Sequence, residues 1–125
     1  MIYATSTGEH FKTRLFDGEH TAYADTPIAA GGKNQNMRPG DIWASGLAAC
    51  LNITAQNMLV TRGLVYDKVT VAVDMDRNNP EKVVFKIKID IDGDISPEDK
   101  EKICKDVQSC PVCKLMTAEK EFIFE

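Results

Sequence analysis

From Ile42 to Thr61 the chain carries no charged residue. That absence excludes a surface helix with a solvated, charged face, because a helix that is apolar all round is normally enclosed. The run is close to the roughly 20 residues that span a bilayer. A span is excluded by what the run contains: Ser45, Asn52, Thr54, Gln56 and Asn57 would find no partners in lipid. The start at Met1 lacks the basic, then apolar, then small-residue order of a secretory leader. Four cysteines without a leader point to a reducing, cytoplasmic compartment, where thiols are more often catalytic or metal-binding than paired in structural disulfides. Positive charge is also scarce. The net charge is −4, which disfavours nucleic acid as a partner. No internal repeat, low-complexity tract or linker interrupts the 125 residues, so a single domain spanning 1–125 is expected.

What is present is organised around the uncharged run. The pattern predicts a helix from about Gly40 to Arg62, roughly 34 Å long at 1.5 Å per residue. Asp41 suits its positive end, Arg62 its last turn, and Gly63 the position just past it. One short domain offers too little cover for a helix apolar on all sides, which points to a second subunit.

Before this helix, Ile2–Ser6, His10–Phe16 and Glu19–Asp25 read as three strands. Thr7-Gly8-Glu9 forms a turn, and Asp17-Gly18 signals a type I′ hairpin. A loop with Pro27, Gly31-Gly32 and Asn34 follows. After the helix, Val69, Val71 and Val73 alternate with polar or small residues, as do Val83, Phe85, Ile87, Ile89 and Ile91 beyond an Asn78-Asn79-Pro80 turn. This period of two predicts a long antiparallel hairpin with one apolar face. Ser96 then caps a helix with Pro97 at its first position. Ile103, Val107 and Cys110 share its apolar stripe, and Pro111 starts a new short helix reaching about Glu119. A last strand, Glu121–Glu125, is expected. The order β-β-β-α-β-β-α-α-β groups strands instead of alternating them with helices, which favours an α+β fold with antiparallel sheets.

The cysteines carry the chemistry. Cys50 lies in mid-helix. Cys110 lies at a predicted helix start, where unpaired N–H groups favour a thiolate and lower a thiol pKa from about 8.5 toward ~3.5–7.5. Cys113 makes Cys110-Pro111-Val112-Cys113 a C-x-x-C. Any of these thiols also fits as a small buried apolar residue, and Cys104 is read that way. A zinc site needs two more ligands, yet the only histidines, His10 and His20, lie in the N-terminal strands and no second C-x-x-C exists. Neither a metal nor another cofactor is expected. A thioredoxin-like role lacks its βαβ context. A peroxide-reducing pair, in which one thiolate becomes a sulfenic acid and a second thiol closes a disulfide, is the third reading. Spacing alone does not show that Cys50 and Cys110 meet.

Three stretches in order resemble the OsmC/Ohr family of thiol-dependent hydroperoxide reductases. They are the hairpin DGEHTAYADTP feeding GGKNQN; Pro39-Gly40-Asp41-Ile42 leading to Leu47-Ala48-Ala49-Cys50; and Cys110-Pro111-Val112. The resemblance covers nearly the whole chain. It implies an OsmC-like fold, with antiparallel sheets wrapped around a long central helix in an intertwined homodimer whose active sites lie at the subunit interface. It implies a peroxidatic Cys50, a resolving Cys110, a hydroperoxide substrate and an external thiol reductant (a lipoyl dithiol in part of the family). Organic hydroperoxides are favoured because the sequence around Cys50 is apolar. Asp41 stands where the family more commonly has Glu. The family's thiolate-holding Arg has three candidates here. His10 occupies its place when the Thr7-Gly8-Glu9 turn is aligned; Arg14 lies four residues on; Arg38 sits beside Asp41 and is preferred for the ion pair it can form. Trp43 and Met58 are candidate pocket residues, with plain core as their simpler role. A different class of function, a non-enzymatic redox sensor or small-ligand binder, would use Cys110 and Cys113 as its switch.

Overall fold

The computed structural model describes residues 1–125 as two compact units, Met1–Trp43 and Ala44–Glu125. The first unit holds a three-stranded antiparallel sheet of β1 (Tyr3–Ser6), β2 (Thr13–Phe16) and β3 (Thr21–Ala24), in sequence order. β2 starts later than expected. Phe11 takes a left-handed φ of 63°, which ends a strand, and the His10 ring stacks on it 3.9 Å away instead of joining the sheet. The β2–β3 hairpin forms, but not through a type I′ turn. Gly18 takes a φ of 110° while Asp17 does not enter the left-handed region. The Asp17 carboxylate closes the turn instead, accepting the Glu19 and His20 N–H groups at 2.8 and 2.6 Å.

The loop after β3 is built on Asp25, which is 4% exposed. Its carboxylate accepts the N–H of Thr26 at 2.7 Å and of Gln35 at 3.2 Å, and its own N–H donates to the Met37 carbonyl. A side chain on Gly32 would run into the Thr26 carbonyl and come within 2.7 Å of the Asp25 carboxylate, so glycine is required at this crossing.

The boundary between the units falls one turn into α1 (Pro39–Thr61). The helix ends as its sequence directs. Gly63 has a φ of 69°, its N–H donates to the Val60 carbonyl, and the Leu64 N–H donates to Leu59, the paired bonds of a Schellman motif. Leu47, Leu51, Ala55 and Leu59 form its buried stripe, each four residues from the last. The other side is open: Ile53 is 66% exposed. Enclosure on all sides, expected from the lack of charge, is therefore not achieved by the single chain, which has core for only one stripe. Two polar residues of α1, Asn52 and Gln56, find partners within the second unit. Asn52 Nδ2 donates to the Val69 carbonyl at 2.9 Å, Gln56 Nε2 to Asn52 Oδ1 at 2.6 Å, and the Tyr66 hydroxyl to Gln56 Oε1 at 2.8 Å. No helix is long and apolar enough to cross a membrane.

β4 (Lys68–Asn79) and β5 (Lys82–Asp92) form the long antiparallel hairpin. Val69 pairs with Ile91, Val71 with Ile89 and Val73 with Ile87, which puts the predicted apolar face on one side. The register shifts between Asp76 and Asn79, near the tip. α2 (Pro97–Asp106) starts with the Ser96 hydroxyl accepting the Asp99 N–H at 3.2 Å, and α3 (Pro111–Thr117) follows a short 3-10 turn. Ile103, Val107 and Cys110 join the α1 stripe, Val69, Ile91 and Ile95 in the core of this unit. The expected strand Glu121–Glu125 does not form. The segment joins neither sheet, and Phe122, Ile123 and Phe124 stand exposed.

Candidate active site

The site is assembled on the core of the second unit. Cys50 lies on α1 between the buried Leu47 and Leu51; it is half-buried and packs against the core cluster. Cys110 continues the stripe of Ile103 and Val107 and is 1% exposed. Pro111 cannot extend the preceding turn, so the chain breaks there and Cys110 becomes the N-cap of α3, its sulfur accepting the Cys113 N–H at 3.3 Å. The C-x-x-C spacing then folds Cys113 back over Cys110, Sγ to Sγ at 2.9 Å. The core cluster that Cys50 packs against is the one that contains Cys110. All four cysteines are free thiols. Three of them thus gather at one core, Cys110 within it and Cys50 and Cys113 packed against it.

The ionisation of Cys110 runs against the sequence expectation. Burial pushes its thiol up, and the hydrogen bond to Cys113 adds to the rise; the Cys113 N–H and Cys50 pull weakly the other way. α3 is a helix of only 7 residues, too short for its dipole to outweigh burial at an apolar position. Cys104 is half-buried, as the simple reading has it, and burial followed by the charge of Asp90 pushes its thiol up. It shares with Cys113 the wall of a cavity of about 540 Å³, otherwise lined mainly by Leu51, Ile87, Ile89 and Val107. The sequence shows no sign of this cavity, because its walls come from α1, β5, α2 and the turn after it. Met58 packs against the core cluster, in keeping with the simpler role.

The remaining candidates belong to the first unit. Arg38 Nε lies 3.2 Å from Asp41 Oδ2, so the expected ion pair is present. Both residues line a cavity of about 860 Å³ with Tyr23 and Asn34 among its walls. As an exposed pair it contributes at most about 1 kcal/mol to stability. Arg14 donates to the Thr21 hydroxyl at 3.3 Å and lies 4.6 Å over the Phe16 ring. His10 stacks on Phe11, and Trp43 is partly exposed. No group of three or more His, Cys, Asp or Glu side chains is arranged to hold a metal ion.

A family model described as OsmC-like protein matches residues 32–125. The chain belongs to the OsmC-like family. The resemblance carried by the three sequence stretches therefore holds. Solved structures with the OsmC-like fold are similar along almost the whole chain. An OsmC-like protein from Mycoplasma pneumoniae superposes with a TM-score of 0.78 at 19% identity, covering 94% of this chain and 86% of that one. The organic hydroperoxide resistance protein OhrB of Bacillus subtilis gives 0.65 at 17%, covering 95% and 92%. An organic hydroperoxide resistance protein OsmC from Legionella pneumophila, also described as a predicted redox protein, gives 0.63 at 17%, covering 94% and 90%. At these identities the likeness is one of fold. Among curated proteins, none matches this OsmC-like sequence.

Proposed function

We propose that the protein reduces hydroperoxides with its own thiols, Cys50 attacking and Cys110 resolving. The observation that carries this reading is that Cys50, on α1, packs against the same apolar core that contains Cys110, the N-cap of α3, although the two are far apart in the chain. The Cys50 thiolate attacks one peroxide oxygen and the O–O bond breaks. The alkoxide takes a proton and leaves as alcohol, and Cys50 becomes a sulfenic acid. Cys110 then attacks the Cys50 sulfur. The S–O bond breaks, the hydroxyl leaves with the Cys110 proton as water, and a Cys50–Cys110 disulfide remains. An external thiol returns two electrons and two protons.

The apolar surroundings of Cys50 favour organic hydroperoxides over hydrogen peroxide. Arg38, held by Asp41, is assigned the cation role toward the thiolate; the ion pair and the family resemblance support that assignment. Trp43 and Met58 are assigned to the substrate pocket, Trp43 because, seven residues before Cys50, it shares a helix face with it. A homodimer is part of the same reading, supported by the open apolar side of α1 and by the exposed Phe122-Ile123-Phe124 segment.

The deciding experiment is single-turnover thiol loss with cumene hydroperoxide or hydrogen peroxide. Organic peroxide is expected to react faster, Cys50→Ser to abolish the reaction, and Cys110→Ser to accumulate a sulfenic acid on Cys50. Reaction no faster than a free cysteine overturns the proposal. A second reading, a thiol switch without catalysis, is favoured by the 2.9 Å contact of Cys110 with Cys113. In that case Cys50→Ser would still form a Cys110–Cys113 bond at the wild-type rate.

A further inference from the structure

Cys110 lies against Cys113 in the core that Cys50 also packs on, and a two-cysteine cycle leaves the Cys110–Cys113 contact unused. We infer that Cys113 is a second resolving thiol, which moves the disulfide from Cys50–Cys110 onto Cys110–Cys113 and presents it to a small dithiol reductant. The inference rests on the peroxidase reading. Three observations carry it. The Cys113 sulfur already lies 2.9 Å from Cys110, on a turn whose N–H bond to the Cys110 sulfur keeps the two together. Cys110 is closed to solvent, so a disulfide buried between it and Cys50 is poorly placed for direct attack by an external thiol. Cys113 is half-exposed and forms part of the wall of the 540 Å³ cavity, whose Leu51, Ile87, Ile89 and Val107 suit a dithiol on a short apolar chain.

The step balances without an added oxidant. Cys113 attacks the Cys110 sulfur of the Cys50–Cys110 disulfide. The Cys110–Cys113 bond forms, the Cys50–Cys110 bond breaks, and Cys50 leaves as a thiolate, ready for the next peroxide. The Cys113 proton passes to solvent. The dithiol then reduces Cys110–Cys113, closing its own disulfide and returning two electrons and two protons.

The test is a quenched time course with one equivalent of cumene hydroperoxide, alkylation of free thiols, and disulfide mapping. In the wild type, Cys50–Cys110 is expected first and Cys110–Cys113 later, with Cys50 alkylated again as the second bond grows. Cys113→Ser and Cys113→Ala are expected to stop at Cys50–Cys110. Reduction of these oxidised variants by dithiothreitol is expected to be about tenfold slower or more than that of the oxidised wild type, in keeping with the dependence of exchange on access. The inference is overturned if the wild type also stops at Cys50–Cys110 with Cys113 alkylated. It is equally overturned if the Cys113 variants are reduced as fast as the wild type. Failure of the underlying peroxidase reading looks different: Cys110–Cys113 then forms in Cys50→Ser as readily as in the wild type.

Discussion

Asp17 shows how much a single turn residue settles in this chain. Two backbone N–H groups, from His20 and Glu19, and then the His20 ring hold its carboxyl at about 2, against an ordinary 3.8. A carboxylate with a depressed folded-state pKa stabilises the fold above its unfolded value, and that contribution is lost as pH falls through the folded one. The β2–β3 hairpin is therefore expected to loosen as pH drops from about 4 toward 2. Asp25, lowered chiefly by the Thr26 N–H, acts in the same direction on the next loop. An NMR titration checks this: a midpoint near 2 is expected for Asp17, and a midpoint near 3.8 would contradict the turn geometry. At this scale the sequence is legible where chemistry is local. The Asp17-Gly18 pair marks the turn, and Asx bonds shape it in place of type I′ geometry. Cys50 and Cys110 stand out by their motif contexts, whereas the core they share does not, because it depends on how distant segments of the chain pack.

Elements read from short-range rules came out closest to expectation. α1 was placed at Gly40–Arg62 and runs Pro39–Thr61, because its stop signal is written in consecutive residues, Arg62 and Gly63. Replacing Gly63 with Ala puts a side chain at a φ of 69° and is expected to cost about 1–2 kcal/mol, measured as a lowered urea midpoint at unchanged slope. The β4–β5 hairpin was equally legible from its period of two. Glu121–Glu125 has comparable strand character but no ladder in the chain. Strand propensity describes fit to a pleated neighbour, and sequence alone does not supply the neighbour. The start of β2 was missed for a related reason: nothing in His10-Phe11 announces the left-handed φ that ends the pairing.

For the molecule as a whole, the main discrepancy between sequence and structure lies on one side of α1. Lack of charge predicted burial all round, and the chain supplies a single buried stripe, with Ile53 and Val60 left in solvent. Exposed apolar surface of this kind marks an interaction surface more often than a solvated one. With the homodimer proposed above, wild-type protein is expected at twice the chain mass by light scattering. Ile53→Glu, which would bury an unpaired charge, is expected to weaken association by about 3 kcal/mol or more, over 100-fold. A wild-type monomer at micromolar concentration would refute the assembly.

The amide chain from Asn52 through Gln56 to Tyr66 bears on the mechanics of the thiol cycle proposed above. Rolling α1 about its axis would strand Asn52, Gln56 and the Val69 carbonyl, so the helix has one permitted angular setting. Cys50 is thus mounted on a fixed jaw. In the proposed cycle, travel that brings sulfur to bonding distance falls to the Val107–Ser109 turn and the break at Pro111. On the proposed function, the uncharged helix is the anvil of the cycle and the short joint before α3 its hinge.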